Sequence, residues 1–156
     1  MGFFKSKPYR FCVLRQLGGL GDALMLTPCF RALKETYPGC QVTVGTSWLY
    51  MSGSLPMIFR GNPFIDRIER VEPTEFVTYV TRLVRREFAN TPNDLIPNCV
   101  IDTDCVIDLN VICSMVETAT QPNVTEHRTD IWLRHCLGGL MVSDKRPILV
   151  LDRDEL

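Results

Sequence analysis

The chain has 156 residues, 46% of them hydrophobic and 22% charged, with a formal net charge of -1. That length supports one domain with a real core, and the composition excludes a disordered chain. The near-zero charge excludes a general electrostatic pull toward nucleic acid. In chain order, Arg10 to Gln16 reads as a buried strand, short, apolar and ended by glycines. A helix follows to about Tyr37, with Leu26, Phe30, Leu33 and Tyr37 at helical spacing and Pro38-Gly39 as its stop. Pro28 sits inside it, so either the helix kinks there or Thr27 caps a fresh helix. Gln41 to Thr46 alternates and reads as a second strand, and Ser47 to Leu55 as a short helix. After the Asn62-Pro63 turn, Ile65 to Val71 reads as a short edge strand.

Pro73 opens a third predicted helix, with Phe76, Val80, Leu83 and Val84 on one face and Arg82, Arg85 and Arg86 mostly away from it. Asn90 to Asn98 is a polar loop. Val100 to Leu109 contains another buried strand, placed at Cys105 to Leu109. Val111 to Gln121 reads as a short helix. Thr125 to Leu137 is the last helix, with Ile131, Leu133 or Leu137 inward and Gly138-Gly139 as its stop. Lys145-Arg146-Pro147 leads to an extended Ile148 to Leu151. Strands alternating with helices predict an α/β fold: a doubly wound, mostly parallel, Rossmann-like sheet.

The seven cysteines are odd in number, form no C-x-x-C pair, and in several cases sit in apolar runs. Free buried thiols in a reducing cytosol fit this pattern. His127 and His135 have no cysteine at ligand spacing, so no metal is expected. No apolar run approaches bilayer-spanning length. Met1 to Lys7 lacks a signal-peptide core, and its Gly2/Ser6 myristoylation pattern is common by chance. Residues 1–9 are therefore read as a flexible N-terminus, 10–151 as the domain and 152–156 as the start of a linker or tail. Asn123-Val124-Thr125 is a glycosylation triplet with no meaning in a cytosolic chain.

The segment "LRQLGGLGDALMLTPCFRALKETYP" joins the first strand to the first helix through a glycine loop. The dinucleotide fingerprint fails, because Gly19-Leu20-Gly21-Asp22-Ala23-Leu24 puts leucine at its third position. The second strand also ends Val44-Gly45-Thr46-Ser47, without the acidic residue that binds a ribose. A P-loop fails for want of G-K-[ST]. Asp22 stands where a dinucleotide phosphate would approach and would repel it, while the helix N-terminus favours a carboxylate there. The loop reads as a mount for Asp22, its glycines letting a substrate approach the backbone. Helix capping is the competing reading.

With the loop read this far, the chain resembles the N-terminal domain of the family 9 glycosyltransferases, the ADP-heptose:lipopolysaccharide heptosyltransferases. The matching segments are "FCVLRQLGGLGDALMLTPCFRALKETYPGCQVTVGT", "GNPFIDRIERV", "CVIDLN" and "EHRTDIWLRHCLGG", in the family's order, from about residue 10 to 150. The resemblance implies one half of a GT-B fold, the half that binds the acceptor sugar. It implies inverting transfer, with Asp22 on the family's proposed general base. A carboxylate there accepts the acceptor's proton as the hydroxyl acidifies during attack. The chain stops at Leu156, where the family's interdomain linker begins, and carries no second glycine loop for ADP. The expected partners are therefore a sugar acceptor such as a lipopolysaccharide core and a nucleotide-sugar donor domain elsewhere, with no cofactor of its own and no nucleic acid. The expected location is the cytoplasm, at the periphery of the inner membrane. The alternative is a non-catalytic structural or interaction protein with assembly partners, such as a virion component, that reuses the fold.

Beside Asp22, the candidate substrate-binding residues are Gly19, Leu20, Gly21, Trp48, Arg60, Asn110 and Arg128. Trp48 follows the second strand, where it stacks on a sugar or fills the core. Asn110 ends a central strand, where it binds a hydroxyl or forms a turn. Arg60 lies in the loop before Asn62, as an acidic-acceptor contact or a solvated charge. His127-Arg128 points at the cleft or begins a helix. Asp102 and Asp104 flank a buried strand and read as loop or strand-entry residues.

Overall fold

The computed structural model describes residues 7–71, 103–110, 112–123 and 125–151. The elements are β1 (Arg10–Arg15), α1 (Leu20–Thr36), β2 (Gln41–Thr46), a 3-10 turn (Tyr50–Gly53), α2 (Leu55–Phe59), β3 (Arg67–Arg70), β4 (Cys105–Asp108), α3 (Ile112–Thr120) and α4 (Arg128–His135). Among the described residues, four strands form one sheet in the order β3-β2-β1-β4, and each of their pairings is parallel. The α/β reading with a parallel sheet therefore holds.

Alternation along β1 sorts its side chains between two faces. Phe11 and Val13 enter the main core with Leu26, Phe30, Val42, Val44, Phe59 and Trp132. Cys12 and Leu14 form a second buried cluster with Val71, against which Val106 packs. The second cluster is tight: a Cβ on Gly45 would lie 2.7 Å from Leu14 Cδ2. All four described helices contribute to the main core. The helix expected from Pro73, its arginine run, the Asn90 to Asn98 loop and Asp102 lie outside the described residues.

Helix α1 resolves the Pro28 alternatives, because one 17-residue helix runs through the proline. Proline leaves the Leu24 carbonyl without its usual N–H donor. Thr27 Oγ1 donates to Leu24 O instead, at 2.8 Å, and accepts the Ile148 N–H at 2.8 Å. Other predicted boundaries move. The short helix expected over Ser47 to Leu55 is a 3-10 turn, with α2 starting only at Leu55. The edge strand narrows to Arg67–Arg70 and the last helix to Arg128–His135. Gly138 and Gly139 end that helix at positive φ, with the Gly139 N–H donating to Leu133 O at 2.8 Å. Ile148 to Leu151 joins no strand of the described sheet. It belongs to a strap across α1, held where Glu35 accepts the Ser143 N–H at 2.9 Å and Asp144 pairs with Arg31 at 3.2 Å.

Candidate functional site around Asp22

Parallel pairing gathers the carboxyl ends of the strands on one edge. The chain leaves β1 for β2 on one side and returns as β4 on the other, so the β1/β4 ends flank a topological switch point. Residues 16–19 leave β1 there, beside Asn110 at the end of β4. Asn110 Oδ1 accepts the backbone N–H groups of Gln16 (2.7 Å) and Leu17 (3.0 Å). Its Nδ2 donates to Asp108 Oδ1 at 2.8 Å and Gln16 Oε1 at 3.3 Å. Gln16 Nε2 donates in turn to Val71 O at 2.9 Å. Asn110 thus clamps the start of the glycine loop to β4, and its amide is already committed to protein partners.

Gly18 turns the loop at φ +104, a conformation that favours glycine. A Cβ there would lie 2.1 Å from Arg15 Nη2. Gly19 is the N-cap of α1 in extended conformation, so Leu20 opens the helix and Asp22 is its third residue. Gly21 has open space where a Cβ would go. Asp22 is not the N-cap, and neither of its oxygens accepts a backbone N–H among the described residues. The capping reading therefore fails.

Two guanidinium groups hold the carboxylate instead. Arg128 Nη1 donates to Asp22 Oδ1, and Arg15 Nη2 lies 3.6 Å from Oδ2. Arg15 closes β1 and its side chain is only 3% exposed. Its Nη1 donates to Leu109 O (2.8 Å) and Asn110 O (3.1 Å), and its Cζ lies 5.5 Å from the Trp132 ring centroid. Trp132 Nε1 donates to the same Leu109 carbonyl at 3.2 Å. A buried cation needs an anion, and Asp22 supplies it. Arg15 was absent from the sequence candidates. The signal available was a basic residue closing an apolar strand just before a glycine loop that carries an aspartate.

Arg128 is the first residue of α4, whose N-cap is His127, accepting the Thr129 N–H on Nδ1. Of the two sequence alternatives, His127 begins the helix and Arg128 points to the loop. The Arg128 fork grips Glu117 of α3 through Nε at 2.6 Å and Nη2 at 2.7 Å. Glu117 first, and Asp22 after it, push the Arg128 guanidinium above its ordinary value. Thr129 Oγ1 ties α4 to α1 by donating to Met25 O at 2.7 Å.

The structure thus brings Gly19, Leu20, Gly21, Asp22, Asn110 and Arg128 together and adds Arg15 and Glu117. Trp48 follows β2 on the same edge and is 39% exposed, so it does not fill the core. Ser47 Oγ shapes its turn, accepting the N–H groups of Leu49 (3.1 Å) and Tyr50 (2.8 Å). Arg60 is the C-cap residue of α2, on the connection toward β3, where Asp66 donates its N–H to Val42 O. Asp104 lies at the opposite, amino edge, paired with Arg10 at 3.0 Å, which is the strand-entry role its position suggested. Among the described residues no cluster of His, Cys, Asp or Glu has metal-holding geometry.

No family model matches the chain. No curated protein matches it. Among solved structures it is similar to the crystal structure of a glycosyl transferase family 9 protein from Veillonella parvula DSM 2008, with 18% identity and a TM-score of 0.55. The match covers 94% of this chain and 46% of that one, so this chain spans about half of that structure's length. The likeness is one of fold: the chain shares with that glycosyltransferase structure an α/β architecture built on a parallel sheet.

Proposed function

We propose that the chain is the acceptor-binding half of an inverting glycosyltransferase of the heptosyltransferase kind, with Asp22 as general base. The observation that supports it best is the unequal use of the Asp22 oxygens. Oδ1 is taken by Arg128, while among the described residues Oδ2 has no donor closer than Arg15 Nη2 at 3.6 Å. Oδ2 is therefore the atom left to receive a proton. An acceptor hydroxyl delivers its proton to Oδ2 as its oxygen attacks the anomeric carbon from the face opposite the nucleoside diphosphate. The new C–O bond forms as the bond to the diphosphate breaks, and the configuration inverts. Gly21, without a side chain, leaves the acceptor room beside the helix start, and Trp48 offers a ring for sugar stacking on the same edge.

The acceptor proposed is a sugar of a lipopolysaccharide core. The donor is a nucleotide sugar held by a donor domain outside these 156 residues. The proposed location is the cytoplasm, at the inner-membrane surface. The test is calorimetric titration of the chain with heptose-deficient lipopolysaccharide core oligosaccharide. Saturable binding lost in Gly21→Trp supports the reading, and no heat at millimolar acceptor contradicts it. One observation favours the second reading, a non-catalytic assembly or virion protein. Buried Arg15 gives Asp22 a structural reason to exist without any chemistry. Recovery of the chain in stoichiometric amounts from a particle supports that reading.

A further inference from the structure

We infer that Glu117 is a positioning residue for Asp22, acting through Arg128. The inference rests on the reading of Asp22 as the proton acceptor. A guanidinium is planar and its N–H directions are fixed relative to one another. Glu117 takes two of them, Nε at 2.6 Å and Nη2 at 2.7 Å, as a bidentate carboxylate. With that side of the fork fixed, the orientation of Nη1 is set, and it meets Asp22 Oδ1.

The same helix holds Arg128 a second time. Cys113 Sγ, one turn before Glu117 on α3, donates to the Arg128 carbonyl oxygen at 3.7 Å. Side chain and backbone of Arg128 are therefore both referenced to α3. The consequence for Asp22 is stereochemical. Glu117 decides through Arg128 which carboxylate oxygen is anchored, and so which one is left for the acceptor. A plain surface ion pair does not fit, since the Glu117 and Arg128 side chains are 22% and 31% exposed and the fork is shared with a second carboxylate.

The test compares wild type, Glu117→Gln and Glu117→Asp by NMR on ¹⁵N,¹³C-labelled chain. It reads the Arg128 Nε–Hε exchange rate and the Asp22 Cγ resonance, after circular dichroism has established folding. Gln keeps the length and removes the charge, whereas Asp keeps the charge and is one methylene too short to grip both nitrogens. Hydrogen bonds to charged groups are strong enough that losing this grip is expected to speed Nε–Hε exchange about tenfold. Both variants are expected to show that acceleration and to move the Asp22 Cγ resonance from its wild-type position. If Glu117→Asp behaves like wild type, charge alone suffices and positioning is refuted. An Asp22 resonance at its wild-type position in both variants refutes the coupling outright. Should Glu117→Gln not fold, Glu117→Asp alone decides by the same readouts. No acceptor or donor is used. A failure of sugar transfer therefore counts against the base reading, while this measurement reports the coupling by itself.

Discussion

Replacing Asp22 with Asn tests the charge arrangement and the chemistry together. As a simple N-terminal cap, Asp22 would tolerate the change at a cost below about 1 kcal/mol, since Asn and Asp cap about equally. The structure predicts more, because Asp22 is the counter-ion of an arginine only 3% exposed. At 3.6 Å the gross attraction is about 4.6 kcal/mol at an effective dielectric of ~20. Breaking a fully buried pair costs about 3–5 kcal/mol, and breaking an exposed one about 0–1. The Asp22 side chain is 21% exposed and its second partner Arg128 is 31% exposed, so the pair falls between these limits. We expect a loss of about 2 kcal/mol, which for a chain of this size lowers Tm by about 4–8 °C. Urea and thermal denaturation measure it. The double mutant with Arg15→Met isolates the pairing, because most of the Asp22→Asn cost should vanish when Arg15 is already gone. An unchanged Tm, or full additivity in the cycle, would refute the reasoning.

Gly18→Ala is expected to destabilise by about 3 kcal/mol, from strain at φ +104 and a Cβ 2.1 Å from Arg15 Nη2, as read from chemical denaturation. Gly21→Ala meets open space within a helix and should raise stability by about 0.5–1 kcal/mol in the same assay. Three carboxylates are held below their ordinary values: Asp104 by the Arg10 side chain and then its N–H, Glu35 by Ser143, and Asp144 by Arg146. Their folded-state values lie below the unfolded ones, so the unfolded chain binds more protons in acid. The stability they add is present above about pH 4 and is lost as pH falls through the folded values. The urea midpoint should therefore fall on acidification, and Arg10→Met should flatten part of that fall. Burial pushes the thiols of Cys113 and Cys136 up to about 12 and that of Cys29 higher still. Iodoacetamide at pH 8 should therefore spare all three in the folded chain and label them in urea, as peptide mass mapping would show.

Strand β1 was legible because a buried parallel strand reads as a short apolar run ended by glycines, and β2 because Gln41 to Thr46 alternates. Helix α1 was legible by its spacing. What Pro28 does there depends on Thr27 and on Ile148, which is remote in sequence, so local pattern left it undecided. At the site, Asp22 stood out because a glycine loop displayed it. Arg15 did not, because its role depends on Trp132, Leu109 and Asn110, which the fold brings to it from far along the chain. Asn110 was identified at the right edge, but its hydrogen bonds make it a loop clamp. Arg60 was singled out by its loop, and it caps the end of α2 on the connection to β3. Glu117 lay in a stretch that read only as a short helix, and its meaning required knowing that α3 packs beside the start of α4.

The central claim is that Asp22 takes the acceptor's proton. The most direct measurement is single-turnover sugar transfer from ADP-heptose to heptose-deficient core oligosaccharide, with a complementing donor domain, comparing wild type with Asp22→Asn below the variant's Tm. Loss of a general base typically costs on the order of 10²–10⁴-fold in rate. The account predicts a loss of that size with acceptor affinity unchanged. Transfer by Asp22→Asn at the wild-type rate would contradict it and leave Asp22 only as the counter-ion of Arg15 and Arg128.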